Sequence, residues 1–334
     1  MEPPMRALLI PRSLTLGLAA LLALNLSAAA QALSLEELLN GVVRIKTAIH
    51  PEGRTVPNLG REREGTGIVI DGNGLVLTIG YLMVEAYTAA ITTSDGRSWP
   101  ANVVGYDNDT GFGLLQSVGP LNAKPLPLGR SADVKEHDPV LIAGINGPAR
   151  ALVVAKREFA GSWEYLLDEA IFTTPPYQPN WSGAALISRE GKLIGVGSLI
   201  VGDTTGKQDN VPGNMFVPID RLPPILGELM ADGRIAGPGK PWLGLNTEEV
   251  RGRLFVSRVM PDSPAARAGL ERGDIILGVN GEAPKSLADF YRKIWAVGAA
   301  GATVPLDVLH DSEKRRFEVK SINRLDHLKL KSTF

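Results

Sequence analysis

The chain has no cysteine among its 334 residues. Disulfides, thiol catalysis, thiolate-bound metal and a lipid-modified N-terminal cysteine are therefore excluded. Aromatic residues are scarce at 6%, and neither sign of charge dominates, the formal net charge being −1. A chain this close to neutral does not hold nucleic acid or an anionic membrane by bulk electrostatics, so no nucleic-acid partner is expected. Long apolar runs are also missing. The one strongly apolar stretch, Leu14 to Leu24, is shorter than the ~20 residues a membrane-spanning helix needs. What the chain has in quantity is Gly (37) and Pro (24), a balance that suits short strands and many turns better than a helical bundle. Its 44% hydrophobic and 21% charged content is that of an ordinary globular protein, and its length accommodates two domains.

Residues 1–32 read as a secretory signal peptide. Arg6 and Arg12 supply a positive start, the apolar stretch follows, and Ala30-Gln31-Ala32 offers a small-x-small cleavage site. The expected mature protein is periplasmic or secreted, with no stable membrane insertion after cleavage. The alternative is a retained anchor. A cysteine-free exported chain fits a bacterial periplasm.

Beyond the signal, Ser34-Leu35-Glu36-Glu37 has the Ser-x-x-Glu form that caps a helix. From Val42 to about Ile200 short β-type runs alternate with turns: Val42–Thr47, Thr66–Ile70, Leu75–Thr78, Ala89–Thr92, Val103–Val104, Leu114–Leu115, Val140–Ala143 and Leu152–Ala155. Asp71–Gly74 and Arg189–Lys192 are natural hairpin turns. Such spacing predicts an antiparallel barrel or sandwich over residues 33–236. Arg221–Ile235 shifts to helical spacing, with Ile225, Leu226, Leu229 and Met230 on one face. A Gly-Pro linker at 237–241 leads to a smaller αβ unit over 241–322, and a basic tail occupies 323–334. No cofactor or metal motif is present. Gly65-Thr66-Gly67 lacks the third glycine and following helix of a dinucleotide site, and His137-Asp138 and His310-Asp311 read as solvated surface pairs.

Three stretches resemble the HtrA/Deg family of periplasmic trypsin-like proteases. They are Gly65–Asp71 with Gly74–Thr78 behind it, Met215–Asp220, and Ser263–Leu270 with Gly273–Ile276 and Val279–Gly281. The last looks like a PDZ domain of the HtrA kind. The resemblance implies a mainly β protein: a trypsin-like double antiparallel β-barrel followed by an α+β PDZ domain. Members of that family are often homo-oligomers, typically trimers.

The resemblance also locates the catalytic positions, and they are degenerate. Serine proteolysis needs a hydroxyl activated by a base, a carboxylate that orients the base, and backbone donors for the oxyanion. Counting from Leu75–Thr78 places Tyr81 at the family's histidine, and the run Thr110–Leu115 places Gly111 at its aspartate. Ser182 survives at the nucleophile position. Asn180 replaces the glycine of the oxyanion hole, and Trp181 adds bulk beside the serine. A phenol with a pKa near 10 is a poor base at neutral pH. Ser182 is then either an inherited turn residue or a nucleophile served by another base, such as a lysine. His50, His137, His310 and His327 match no triad position, Asp109 is two residues out of register, and Lys192 lies beyond a turn.

PDZ domains take an extended peptide as an added strand and hold its terminal carboxylate on backbone N–H groups. The loop Trp242-Leu243-Gly244-Leu245 fits that role, with Lys240 just upstream as a charge contact. Leu287, Tyr291 and Ile294, on a helix expected over Ser286–Val297, form the opposite wall or fill the core. The sequence thus predicts a non-hydrolytic binder of unfolded or C-terminal peptides, working as chaperone, adaptor or decoy. The alternative is an active endopeptidase using Ser182.

Overall fold

A computed structural model describes residues 34–177 and 181–330. The signal reading for residues 1–32 and the substitution at Asn180 lie outside the described residues. Ser34 to the C-terminus forms one unit. It opens on α1 (Leu35–Asn40), where the Ser34 side chain accepts from the Glu37 N–H and Glu37 reaches back to the Ser34 N–H. The capping box read from the sequence is therefore formed.

The first barrel contains β1 (Val42–Ile49), β2 (Glu62–Val69), β3 (Leu75–Ile79), β4 (Ala86–Thr92), β5 (Ser98–Tyr106) and β6 (Phe112–Ser117), with a short helix α2 (Val56–Leu59) between β1 and β2. Its closed order is β1-β2-β3-β6-β5-β4. The second barrel uses β7 (Pro139–Gly144), β8 (Gly147–Gly161), β9 (Tyr165–Thr174), β10 (Ala185–Ile187), β11 (Leu193–Val201) and β12 (Gly213–Pro218), in the closed order β10-β11-β12-β9-β8-β7. Closure leaves no unpaired strand edge. Val43, Ile45, Val76 and Ile91 fill the first barrel, and Ile142, Val153, Leu186 and Phe216 the second. After β12, α3 (Pro223–Asp232) packs Leu229 inward, but Met230 is 51% exposed. The face expected from spacing is narrower than four residues because the helix covers only the edge of the barrel.

The remaining segment is an open five-stranded sheet in the order β13 (Leu245–Val250), β14 (Arg253–Val259), β15 (Ile275–Val279), β16 (Thr303–His310) and β17 (Glu313–Lys320). It carries α4 (Pro264–Ala268) and α5 (Leu287–Ala296), and α6 (Arg324–His327) follows it. Phe290, Tyr291 and Ile294 of α5 join Leu243, Leu254 and Val304 in a core. His310 is not on the surface, as its sequence neighbours imply. It is buried, with Nδ1 2.8 Å from the Asp274 carboxylate, because β16 turns alternate residues into the sheet's covered face.

The β8–β9 hairpin departs furthest from the sequence pattern, which gave only Leu152–Ala155. Its outer half reaches beyond the barrel, and Ala160 and Leu166 pack on the core of the five-stranded sheet. Residues there are half-buried on both faces, so the alternation that marks a strand is lost.

Candidate functional site

β3 runs into a single 3₁₀ turn, Gly80–Leu82, that presents Tyr81. The Gly80 N–H donates to the Gly111 carbonyl at 2.6 Å, so the turn that carries Tyr81 is tied through backbone to Gly111. The Tyr81 hydroxyl donates to the Ser198 carbonyl at 2.5 Å. Burial pushes the phenol up to about 12, and an interaction with the Ser182 side chain offsets only part of that rise. Below the turn, the Arg63 guanidinium donates to the Tyr81 carbonyl at 2.6 Å and to the Thr55 hydroxyl at 2.7 Å. The phenol is therefore clamped, and it touches Ser182 as a neutral group.

Gly111 has φ +81, and a Cβ there would lie 3.4 Å from the Tyr165 hydroxyl and 3.4 Å from Ile79. Tyr165 donates to the Thr110 carbonyl at 2.7 Å. Aromatic and apolar groups thus border the Gly111 position. Asp109 is drawn away to Lys240 at 2.8 Å. Asp107 accepts from the N–H and hydroxyl of Thr110, at 2.8 and 2.6 Å, and serves as a turn cap.

Ser182 is half-buried, and its carbonyl accepts from the Thr66 N–H at 2.7 Å. The bulk of Trp181 does not lie in the cleft beside it. The indole turns into the second barrel, 4% exposed, edge-on to Phe216 with 5.3 Å between centroids. It fits because residue 197 is glycine, where a Cβ would come within 2.3 Å of the indole. The four histidines are engaged or exposed elsewhere. His310 pairs with Asp274, His327 packs on Trp242 with centroids 4.7 Å apart, His50 accepts from the Glu52 N–H, and His137 is exposed. Lys192 is exposed in the β10–β11 turn.

The Trp242–Leu245 loop aims its donors inward, with Gly244 at φ +84. A Cβ there would stand 2.2 Å from the Ser263 Cβ, so this position needs glycine for packing as well as for conformation. The N–H groups of Leu243, Gly244 and Leu245 donate to one carboxylate, that of Glu164, at 2.9, 2.7 and 2.8 Å. Glu164 sits at the tip between β8 and β9, 4% exposed and at φ 57. Burial pushes its carboxyl up to about 7, with the three donors and Arg324 opposing. Lys240 meets Asp109 and the Trp295 ring (4.3 Å to its centroid) rather than this loop. Leu287, Tyr291 and Ile294 all face the core, and the Tyr291 hydroxyl donates to the Gly161 carbonyl at 2.7 Å. No motif points to Glu164. The only trace in the sequence is a carboxylate set between two aromatic residues, Trp163 and Tyr165.

A cavity of about 580 Å³ joins the two places. Its lining includes Tyr81, Gly111, Ser198, Trp163, Trp242 and Leu245.

The sequence matches the family model for a trypsin-like peptidase domain over residues 65–196 and that for a PDZ domain over 241–321. Relatives include a probable periplasmic serine endoprotease, DegP-like, of Pseudomonas putida, 28% identical over 291 residues. The alignment covers 80% of this chain and 58% of that one. Serine protease PepD of Mycobacterium tuberculosis is 30% identical over 274 residues, covering 75% of this chain and 58% of the relative. The chain thus spans under three fifths of the length of both. Among solved structures, the HtrA-type protease AlgW with decapeptide aligns over 90% of this chain and 100% of its own, at 20% identity and a TM-score of 0.51. Two closed barrels followed by a PDZ sheet, matched in order by these models and relatives, place the chain in the HtrA/Deg family of trypsin-like serine proteases with a PDZ domain.

Proposed function

We propose that this chain is a non-hydrolytic, peptide-binding member of its family, acting in the periplasm as chaperone, adaptor or decoy. The observation that carries the proposal is the partner of Ser182. A neutral phenol, pushed up to about 12 and already donating to the Ser198 carbonyl, stands where a base would have to be. It cannot take the serine's proton at neutral pH. No carboxylate stands behind it at Gly111. Triad groups act as a unit, so positioning and a partial oxyanion hole leave at best about a thousandfold over a very slow uncatalysed reaction. Peptide binding is supported by the aim of the Trp242–Leu245 donors at a carboxylate. The periplasmic setting rests on the reading of residues 1–32 and on the names of the relatives. Family likeness extends the proposal to a homo-oligomer.

Purified mature protein should leave unfolded casein intact and should not react with a fluorophosphonate probe. Wild type and Ser182→Ala should be indistinguishable in both assays. Cleavage or labelling that disappears in the alanine variant would sink the proposal, since it would make Ser182 a live nucleophile.

A further inference from the structure

A PDZ groove has three recognition elements: a loop that holds a carboxylate, a strand that pairs with the ligand backbone, and a helix that forms the far wall. In this protein the tip of the β8–β9 hairpin engages all three. The Glu164 carboxylate takes the three loop donors. On β13, the Thr247 N–H donates to the Ser162 carbonyl at 2.8 Å. On α5, the Tyr291 hydroxyl donates to the Gly161 carbonyl at 2.7 Å and accepts from the Glu164 N–H at 3.2 Å. Ala160 and Leu166 complete the contact by packing on the sheet's core.

We infer that the hairpin Gly161–Tyr165 is a ligand in cis for this chain's own PDZ groove, and that a carboxylate-terminated peptide binds only by displacing it. Two features separate this from ordinary domain packing. A buried carboxylate is costly to desolvate unless it is fully hydrogen-bonded, and structural contacts between domains seldom need one. Here it lies on backbone donors, not on a cation, and so copies the terminus of a bound peptide. The residue that carries it also holds φ 57, a conformation that few non-glycine residues adopt without compensation. An external peptide therefore meets a groove that is competent only in the open fraction of molecules, and its apparent Kd rises by the reciprocal of that fraction.

The inference rests on reading the groove as a peptide site, and the test separates the two. Full mature protein, its Glu164→Gln variant and its Glu164→Ala variant would be titrated into a fluorescent peptide pool with apolar, free C-termini. The same pool with amidated termini serves as control. Glutamine keeps the shape and, like the protonated acid, sets one donor against the loop, so it should keep the hairpin docked, whereas alanine removes the contact; thermal melts check both variants. Hydrogen exchange at Leu243–Leu245 would be followed in parallel. We expect weak binding by wild type and by Glu164→Gln, binding tighter by about tenfold or more in Glu164→Ala, little binding of amidated peptide, and faster exchange at the loop in Glu164→Ala. Equal free-acid binding by all three proteins would overturn the latch and leave the peptide reading standing. No binding by any of them, with exchange quickened in Glu164→Ala, would make the hairpin a structural strut and overturn both. Unchanged exchange at Leu243–Leu245 in Glu164→Ala would overturn the latch directly.

Discussion

Trp181 shows how a single replacement beside the serine is held in place by the residue opposite it. An indole immediately before Ser182 would crowd any cleft if it pointed outward. It is instead accommodated by the missing side chain at Gly197 and by the edge of Phe216. The segment that aims Ser182 is thereby anchored in the core of the second barrel, and its stability is bound to that packing. Trp181→Ala should cost about 3–5 kcal/mol, as other large-to-small core changes do. Urea denaturation followed by circular dichroism would measure it. A loss under about 1 kcal/mol would mean that the indole does not fill the core as described. This direction was not legible in the sequence, which fixes a neighbour's bulk but not its rotamer. The positions Tyr81, Gly111 and Ser182 came from the family resemblance, the first by counting on from Leu75–Thr78 and the other two by matching the runs around them.

The β8–β9 hairpin is the element on which the two halves of the molecule depend, and it was the least legible in the sequence. Strands buried on one face alternate and can be read. An arm that touches the barrel at its base and a PDZ sheet at its tip has no constant apolar face. Its docking should depend on pH, with a sign set by Glu164. Docked, the carboxyl is pushed up to about 7 by burial, against the pull of three N–H donors and of Arg324. The Tyr291 phenol, which burial raises, faces it from α5 as a neutral group. Free in solvent, a glutamate titrates near ~4.3. Docking therefore takes up a proton between those values, so the latch is strongest below the lower one and weakens as pH rises through 7. The terminal carboxylate of a peptide is ionised throughout this range. Peptide affinity of the wild type should thus climb from pH 5 to pH 8 and flatten near pH 8, while Glu164→Ala shows no climb. Anisotropy titrations across that range would decide it. A flat wild-type profile, or one that falls with pH, would contradict the assignment of Glu164 as the titrating group.

At the scale of the whole molecule, the chain crosses between barrel and sheet twice more, and one crossing opposes the hairpin in its response to acid. The residues after β17 return to the first barrel, where the Lys329 N–H donates to Glu85 at 2.7 Å. Glu85 also accepts from the N–H groups of Arg54 and Thr55, each at 2.8 Å, and from the Thr55 hydroxyl at 2.5 Å. On the way, Arg324 donates to the Trp163 carbonyl at 3.1 Å and His327 packs at a tilt on Trp242. Residues 323–330 of the basic tail read from the sequence thus form a strap, held by the Lys329 N–H and by the Arg324 and His327 side chains. Burial raises the Glu85 carboxyl, but its four hydrogen bonds outweigh that, and the net direction is down. A depressed carboxylate stabilises the fold above its unfolded pKa of ~4.3 and loses that contribution as pH falls through its folded value. Acid should therefore loosen the strap while it tightens the hairpin. Glu85→Gln should reproduce the acid state at neutral pH, lowering stability by about 1–3 kcal/mol because buried donors lose a charged acceptor. Residues 323–330 should then be cut faster by added trypsin, at Arg324 or Lys329, than in wild type. If the variant is cut at the wild-type rate, the tail is held by something other than Glu85.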